Sequence, residues 1–173
     1  MKWLSFVLSA IILCGCSGIS IKKYENTQPK LVLENYLNGK MTAHGVFMKR
    51  SGYVEKTFTV ALNTTWKDNV GTLVEDFVWS DGTKSTRTWT ITKQSNGTYI
   101  GTAPDVVGQA IGESAGNAYH WNYVLKLPVD DTTYDITFDD WMFLVDNKVM
   151  LNKAVMTKYG FRVGEVLISF TKP

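Results

Sequence analysis

A chain of 173 residues with 45% hydrophobic, 13% aromatic and 20% charged side chains can bury one full core but not two ordinary ones. Its formal charge of +2 comes from 18 basic and 16 acidic side chains mixed along the sequence, so the basic stripe that nucleic-acid binding requires is missing.

Met1-Lys2-Trp3 and the apolar run from Leu4 to Leu13 have the length of a signal peptide, shorter than a membrane span. The run ends in Leu13-Cys14-Gly15-Cys16, which resembles a bacterial lipobox. That resemblance implies a leader over 1–15 and a diacylglyceryl group on Cys16, with palmitate as its usual acyl chain. Loss of Lys2 with the leader would lower the charge from +2 to +1. Cys16 would then be the one cysteine left, which rules out an internal disulfide. Ser17 follows it where an Asp would retain such a protein at the inner membrane, so the expected address is the outer membrane, facing the periplasm.

Residues 16–30 are polar, with Lys22, Lys23 and Pro29, and read as a tether of about 20 Å flexible reach. One domain is expected over 31–173. From Lys40 onward, short runs of Val, Ile, Thr, Phe, Tyr and Trp alternate with turn signals, and no helical period persists. Strands are predicted over Met41–Met48, Glu55–Asn63, Val70–Ser80, Lys84–Lys93 and Thr98–Thr102. Asp81-Gly82 and Asn96-Gly97 supply hairpin turns between them. A two-residue loop at Asp81-Gly82 would set Arg87 opposite Asp76; a three-residue loop would set it opposite Glu75. On its strand Arg87 alternates with Ser85, Trp89 and Ile91, while Thr86, Thr88, Thr90 and Thr92 form a face suited to solvent, so Arg87 is expected to point inward.

Ala103 to Ala118 interrupts the strand pattern. Pro104-Asp105 can start a helix, and Gly108, Gly112 and Gly116 recur every four residues, so a short helix or a Gly-rich loop closing the barrel is predicted. Neither a phosphate-binding loop nor a dinucleotide fingerprint fits this stretch. Tyr119–Val129 returns to strand, with Tyr119, Trp121, Tyr123, Leu125 and Leu127 on a core face. In Thr132–Val145 the adjacent acids Asp139 and Asp140 fall on opposite faces, each among large apolar groups, which calls for partners and leaves room for a bulge. Val149–Lys158 and Phe161–Phe170 complete about nine strands. Sequential antiparallel pairing of that many strands closes into an up-and-down, lipocalin-like all-β barrel or coils into a half-barrel.

The segments FMKRSGYVEKTFTV, EDFVWSDG, RTWTI, YIGTAPDVVGQAIGESAGNAYHWNY, TFDDWMFLVDN, LNKAVMTKYGFRVGEV and FTKP resemble the proteobacterial lipoprotein family catalogued as domain of unknown function 3833. The likeness runs from about Leu31 to Pro173. It implies no established activity. Neighbouring genes in relatives often encode enzymes like cyclopropane-fatty-acid synthases, which implies a lipid connection. Relatives often carry an aromatic residue at the position of His44, which speaks against catalysis by that histidine.

His44 and His120 are the only histidines, and no third ligand stands beside either at metal spacing. No Gly-x-Ser-x-Gly elbow occurs, and the lipobox resemblance implies that Cys16 is taken by lipid. An enzyme would have to use Asp139 or Asp140 as a general base, with Arg87 or Arg162 holding an anionic group. Asp139, Asp140, Glu75, Asp76 and Arg162 fit a buried polar network equally well. The expectation is therefore a non-enzyme without metal or cofactor that binds or carries a fatty acid or phospholipid. Phe58, Trp89, Trp121 and Tyr123 would line its pocket, with Arg87 at the head group. A barrel filled by side chains with an exposed apolar patch would instead favour a protein partner in envelope assembly.

Overall fold

The computed structural model describes residues 18–129 and 131–173, so the leader and Cys16 lie outside the described residues. Ten antiparallel strands form a closed barrel in which every strand pairs with its neighbours in sequence and β1 pairs with β10. They are β1 (Gly39–Lys49), β2 (Val54–Lys67), β3 (Val70–Trp79), β4 (Lys84–Lys93), β5 (Tyr99–Thr102), β6 (Ala110–Ala115), β7 (Ala118–Val129), β8 (Thr132–Leu144), β9 (Val149–Lys158) and β10 (Phe161–Thr171). Closure leaves no free edge.

The turns follow from local chemistry. Ser80-Asp81-Gly82 is a three-residue loop with Gly82 at φ 81°, and Asp81 Oδ1 accepts hydrogen bonds from the Thr83 amide (3.0 Å) and hydroxyl (2.6 Å). That loop sets the register, so Glu75 and not Asp76 faces Arg87. Tyr159-Gly160 joins β9 to β10 with both residues at positive φ, as a two-residue hairpin turn requires.

The stretch expected as a helix or Gly-rich loop supplies the tenth strand. Of the three glycines only Gly112 lies in β6, where it and Ala110 face inward and are buried, while Gly108 and Gly116 flank the strand at φ 71° and 54°. A Cβ on Gly112 would lie 2.0 Å from the Tyr119 hydroxyl, so the strand tolerates no side chain there. Residues 103–109 fill the wall above the short β5 and β6. Val106 bridges Leu125, and the Val107 amide donates to the Val124 carbonyl at 2.8 Å. No bulge interrupts β8 at Asp139 or Asp140, since its pairing with β7 runs unbroken from Thr132 to Phe143.

One end of the barrel is plugged. The single-turn helix α1 (Leu33–Tyr36) seats Leu33, Tyr36 and Leu37 among Leu73, Ile91, Met150 and Phe170. Each buried leucine contributes about 1.5–3 kcal/mol. The plug is also held by polar contacts: Tyr36 Oη donates to the Lys148 carbonyl at 3.0 Å, and Glu34 accepts from Lys93 and from Tyr99 Oη. The other end carries the β1–β2, β3–β4, β5–β6, β7–β8 and β9–β10 connections and has no such plug among the described residues.

The tether expected over 16–30 is replaced, in its described part, by packed chain. Ile21 in a 3-10 turn (Ile21–Tyr24) is buried, and Tyr24 packs on Trp141 and Phe143 outside the barrel, with ring centroids 5.8 and 5.2 Å apart. Thr27 donates to Asn117 Oδ1 at 2.6 Å, and the Leu31 amide donates to the Gly116 carbonyl at 2.7 Å. A polar composition hid two apolar side chains with a specific place to go.

Candidate functional site

Inward positions of β3, β4, β7, β8 and β9 bring a polar layer into the middle of the lumen. Asp140, 4% exposed, accepts hydrogen bonds from Tyr123 Oη at 2.7 Å and from Asn152 Nδ2. Burial outweighs these bonds and raises its carboxyl to about 6. Glu75 faces the same interior, and burial raises it to about 7, with the Arg87 charge pulling down and the Asp105 and Asp140 carboxylates pushing up. Its Oε2 is enclosed with no hydrogen-bond partner.

Arg87 lies on the inner face of β4 and forms its ion pair with Asp105, at 2.7 Å, which ties β4 to the 103–109 segment. Trp89, Trp121 and Tyr123 are buried beneath it with centroids 4.8–5.5 Å apart, and Tyr123 stacks on Phe138 at 5.1 Å. Phe58 is buried against Phe77 and Trp79. Trp89 and Trp121 fill the lower lumen: the void left between them and the plug, bounded also by Leu33, Leu73, Glu75 and Tyr119, is only about 40 Å³. That volume suits one or two waters and no acyl chain.

Toward the unplugged end the lining changes. Phe47, Phe77, Trp79, Leu127, Tyr134 and Val166 face inward yet stay half-buried. Arg87 stands over the Phe77 ring at 5.9 Å, and Lys158 Nζ sits 3.4 Å from the Tyr134 ring centroid.

Three members of the expected buried network are elsewhere. Asp139, its side chain 52% exposed, is on the outer wall, where its Oδ1 meets His120 Nε2 at 2.6 Å and accepts from Trp141 Nε1 at 3.1 Å. His120 stacks on Trp141 at 4.0 Å. Asp76 is also outward and accepts from Thr86 Oγ1 at 2.7 Å. Arg162, at the outer start of β10, pairs with Glu165 at 2.6 Å. Alternation along each strand separates these three from Asp140 and Glu75, so the two adjacent aspartates cannot act on one substrate. His44 is exposed on the outer face of β1.

Sequence reasoning missed Asn152 and Asp105. Asn152 carries a usable signal, a lone amide alternating with Met150, Ala154 and Met156 on one strand face. Asp105 in a Pro-Asp turn carries none. Among the described residues, no group of three or more His, Cys, Asp or Glu side chains could hold a metal ion.

The comparison with protein families gives a match over residues 10–172 to the model described as protein of unknown function (DUF3833). The chain belongs to this DUF3833 family. A search of the curated proteins returns no match. The DUF3833 match covers the barrel, the plug and the docked N-terminal segment together, so the family model extends over the inner polar layer and the unplugged end.

Proposed function

We propose that this DUF3833 protein is a lipid-anchored envelope protein that binds a hydrophobic ligand with a polar or anionic head at the unplugged end of its barrel. The observation carrying this reading is the half-buried ring of Phe47, Phe77, Trp79, Leu127, Tyr134 and Val166 beside the cations Arg87 and Lys158. Half-exposed apolar side chains around a barrel mouth, with a few charged groups among them, suit a ligand site. Covering about 200 Å² of ligand hydrocarbon there would supply about 5 kcal/mol. The packed layer of Trp89, Trp121 and Tyr123 forms the floor, so a fatty acid or phospholipid inserts only the part of its chain that the upper half accommodates. Arg87 is the head-group partner, reached by exchanging Asp105 for the ligand's anion. Attachment through Cys16 would place the protein on the outer membrane, facing the periplasm.

The test uses a Cys16→Ser protein, which keeps every described residue and loses only the acyl attachment point. Native mass spectrometry and lipid extraction should find a stoichiometric fatty acid or phospholipid, lost in Trp79→Ala and in Arg87→Met proteins that still unfold cooperatively. A ligand-free mass, together with no uptake of a fluorescent fatty acid, would overturn the reading.

A further inference from the structure

The strand register orders the lumen lining by depth. From the plug toward the unplugged end, the inward pairs of β3 and β4 are Leu73 with Trp89, Glu75 with Arg87 and Phe77 with Ser85, and Trp79 follows at the end of β3. A polar step therefore lies between an aromatic floor and an apolar mouth. An amphiphile entering this mouth meets the step with its head and leaves its hydrocarbon against Phe77 and Trp79.

The step is short of positive charge and of hydrogen-bond donors. Glu75, Asp105 and Asp140 bring their carboxyls to it, and Arg87 is the guanidinium that faces them; the next cation, Lys158, stands over the Tyr134 ring. Asp140 is satisfied by Tyr123 and Asn152. The other two carboxyls are not. Arg87 takes Asp105 Oδ2 at 2.7 Å, while Asp105 Oδ1 and Glu75 Oε2 are both enclosed without a hydrogen-bond partner. Burial raises the Glu75 carboxyl to about 7, and the Asp105 and Asp140 carboxylates push it the same way against the Arg87 charge, so the step already favours taking up a proton.

A head bearing only an anion worsens this balance. By taking Arg87 it would strand the whole Asp105 carboxylate beside Glu75, leaving a charge unpaired in a half-buried site. A head that also carries a primary ammonium restores the balance. Its positive charge stands in for the Glu75 proton, and its three N–H groups are donors of the kind that the two enclosed oxygens lack.

We propose that the polar step selects a zwitterionic head, with the ligand's anion on Arg87 and its primary ammonium between Glu75 and Asp105, which makes the ligand an acyl lipid of the phosphoethanolamine type. The inference rests on the reading of the unplugged end as a lipid site and adds which head that site takes. A quaternary ammonium is a poorer match, since it brings charge but no N–H.

The test titrates the Cys16→Ser protein by calorimetry with monoacyl lipids that share one chain and differ in head: phosphoethanolamine, phosphocholine, phosphoglycerol and the free fatty acid. The phosphoethanolamine lipid should bind about tenfold more tightly than each of the others, as charge-assisted hydrogen bonds to the ammonium require. Asp105→Asn and Glu75→Gln should each remove most of that preference in proteins that still unfold cooperatively. Equal affinity across the panel, or tighter binding of phosphoglycerol, phosphocholine or fatty acid, would overturn the inference and leave a lipid site of another kind. A preference for phosphoethanolamine that survives both substitutions would overturn the assignment to Glu75 and Asp105. Wild-type protein that takes up none of the four lipids would sink the lipid-site reading and this inference with it.

Discussion

Glu75 and Arg87 face each other across β3 and β4, yet the guanidinium pairs with Asp105 at 2.7 Å and leaves Glu75 Oε2 enclosed without a hydrogen-bond partner. Arg87 thus ties the barrel wall to the 103–109 segment, and its charge only partly offsets the burial of Glu75. A carboxyl so placed is stabilised as the neutral acid.

Stability should therefore fall as pH rises through the neutral range. Burial raises Glu75 from 4.5 to about 7, so between those values the folded chain holds a proton that the unfolded chain has released. The unfolding free energy then declines with pH, is highest with respect to this group below about 4.5, and levels off above about 7. Asp140, raised from 3.8 to about 6, acts with the same sign over a lower window. Urea unfolding at pH 5 and pH 8 should show wild type losing stability at the higher pH. Glu75→Gln should flatten that difference and be the more stable protein at pH 8 by about 1–2 kcal/mol. A Glu75→Gln protein with an unchanged pH slope would show that Glu75 is not the titrating group.

Asp140 is a different case, because its oxygens are engaged by Tyr123 Oη and Asn152 Nδ2. Asp140→Ala strands both donors in the core and should cost about 3 kcal/mol. Asp140→Asn keeps one acceptor, and the Tyr123 hydroxyl can rotate to accept from the new amide, so the cost should fall to about 1 kcal/mol. Chemical denaturation of the two variants decides this. Equal losses would mean that the carboxylate charge, and not its acceptor geometry, holds the layer together.

Much of this architecture was legible because turn chemistry and strand alternation are local. Lys84–Lys93 and Val149–Lys158 occupy the bounds that the sequence predicts, and Arg87 sits inward, opposite a threonine face. The glycines at 108, 112 and 116 misled because their even spacing has no common cause: Gly112 is an inward strand position against Tyr119, while Gly108 and Gly116 flank the strand at positive φ, the latter against Tyr24. The inner polar layer was half legible. Alternation separates Asp139 from Asp140 correctly, but which face of β8 points to the lumen depends on the whole ring of strands, and so does the partner that Arg87 selects. The docked N-terminal segment carried almost no signal, since one isoleucine and one tyrosine in a polar run gain meaning only beside Trp141 and Phe143.

That dock can be loosened without touching the lumen. Gly116 has φ 54°, and a Cβ there would lie 1.8 Å from the Tyr24 carbonyl oxygen, a backbone atom that cannot swing away. Its own carbonyl accepts the Leu31 amide at 2.7 Å, so the same residue holds both ends of the segment between the 3-10 turn and the plug. Gly116→Ala should force residues 18–31 off the wall and cost about 2 kcal/mol or more. Hydrogen exchange should then speed up at the Thr27 and Leu31 amides by at least tenfold, while the amides of β7 and β8 around Tyr123 and Phe138 keep their protection. Rapid exchange throughout β7 and β8 would instead mean that the segment is integral to barrel closure. In that case it could not be a clamp local to the outer wall.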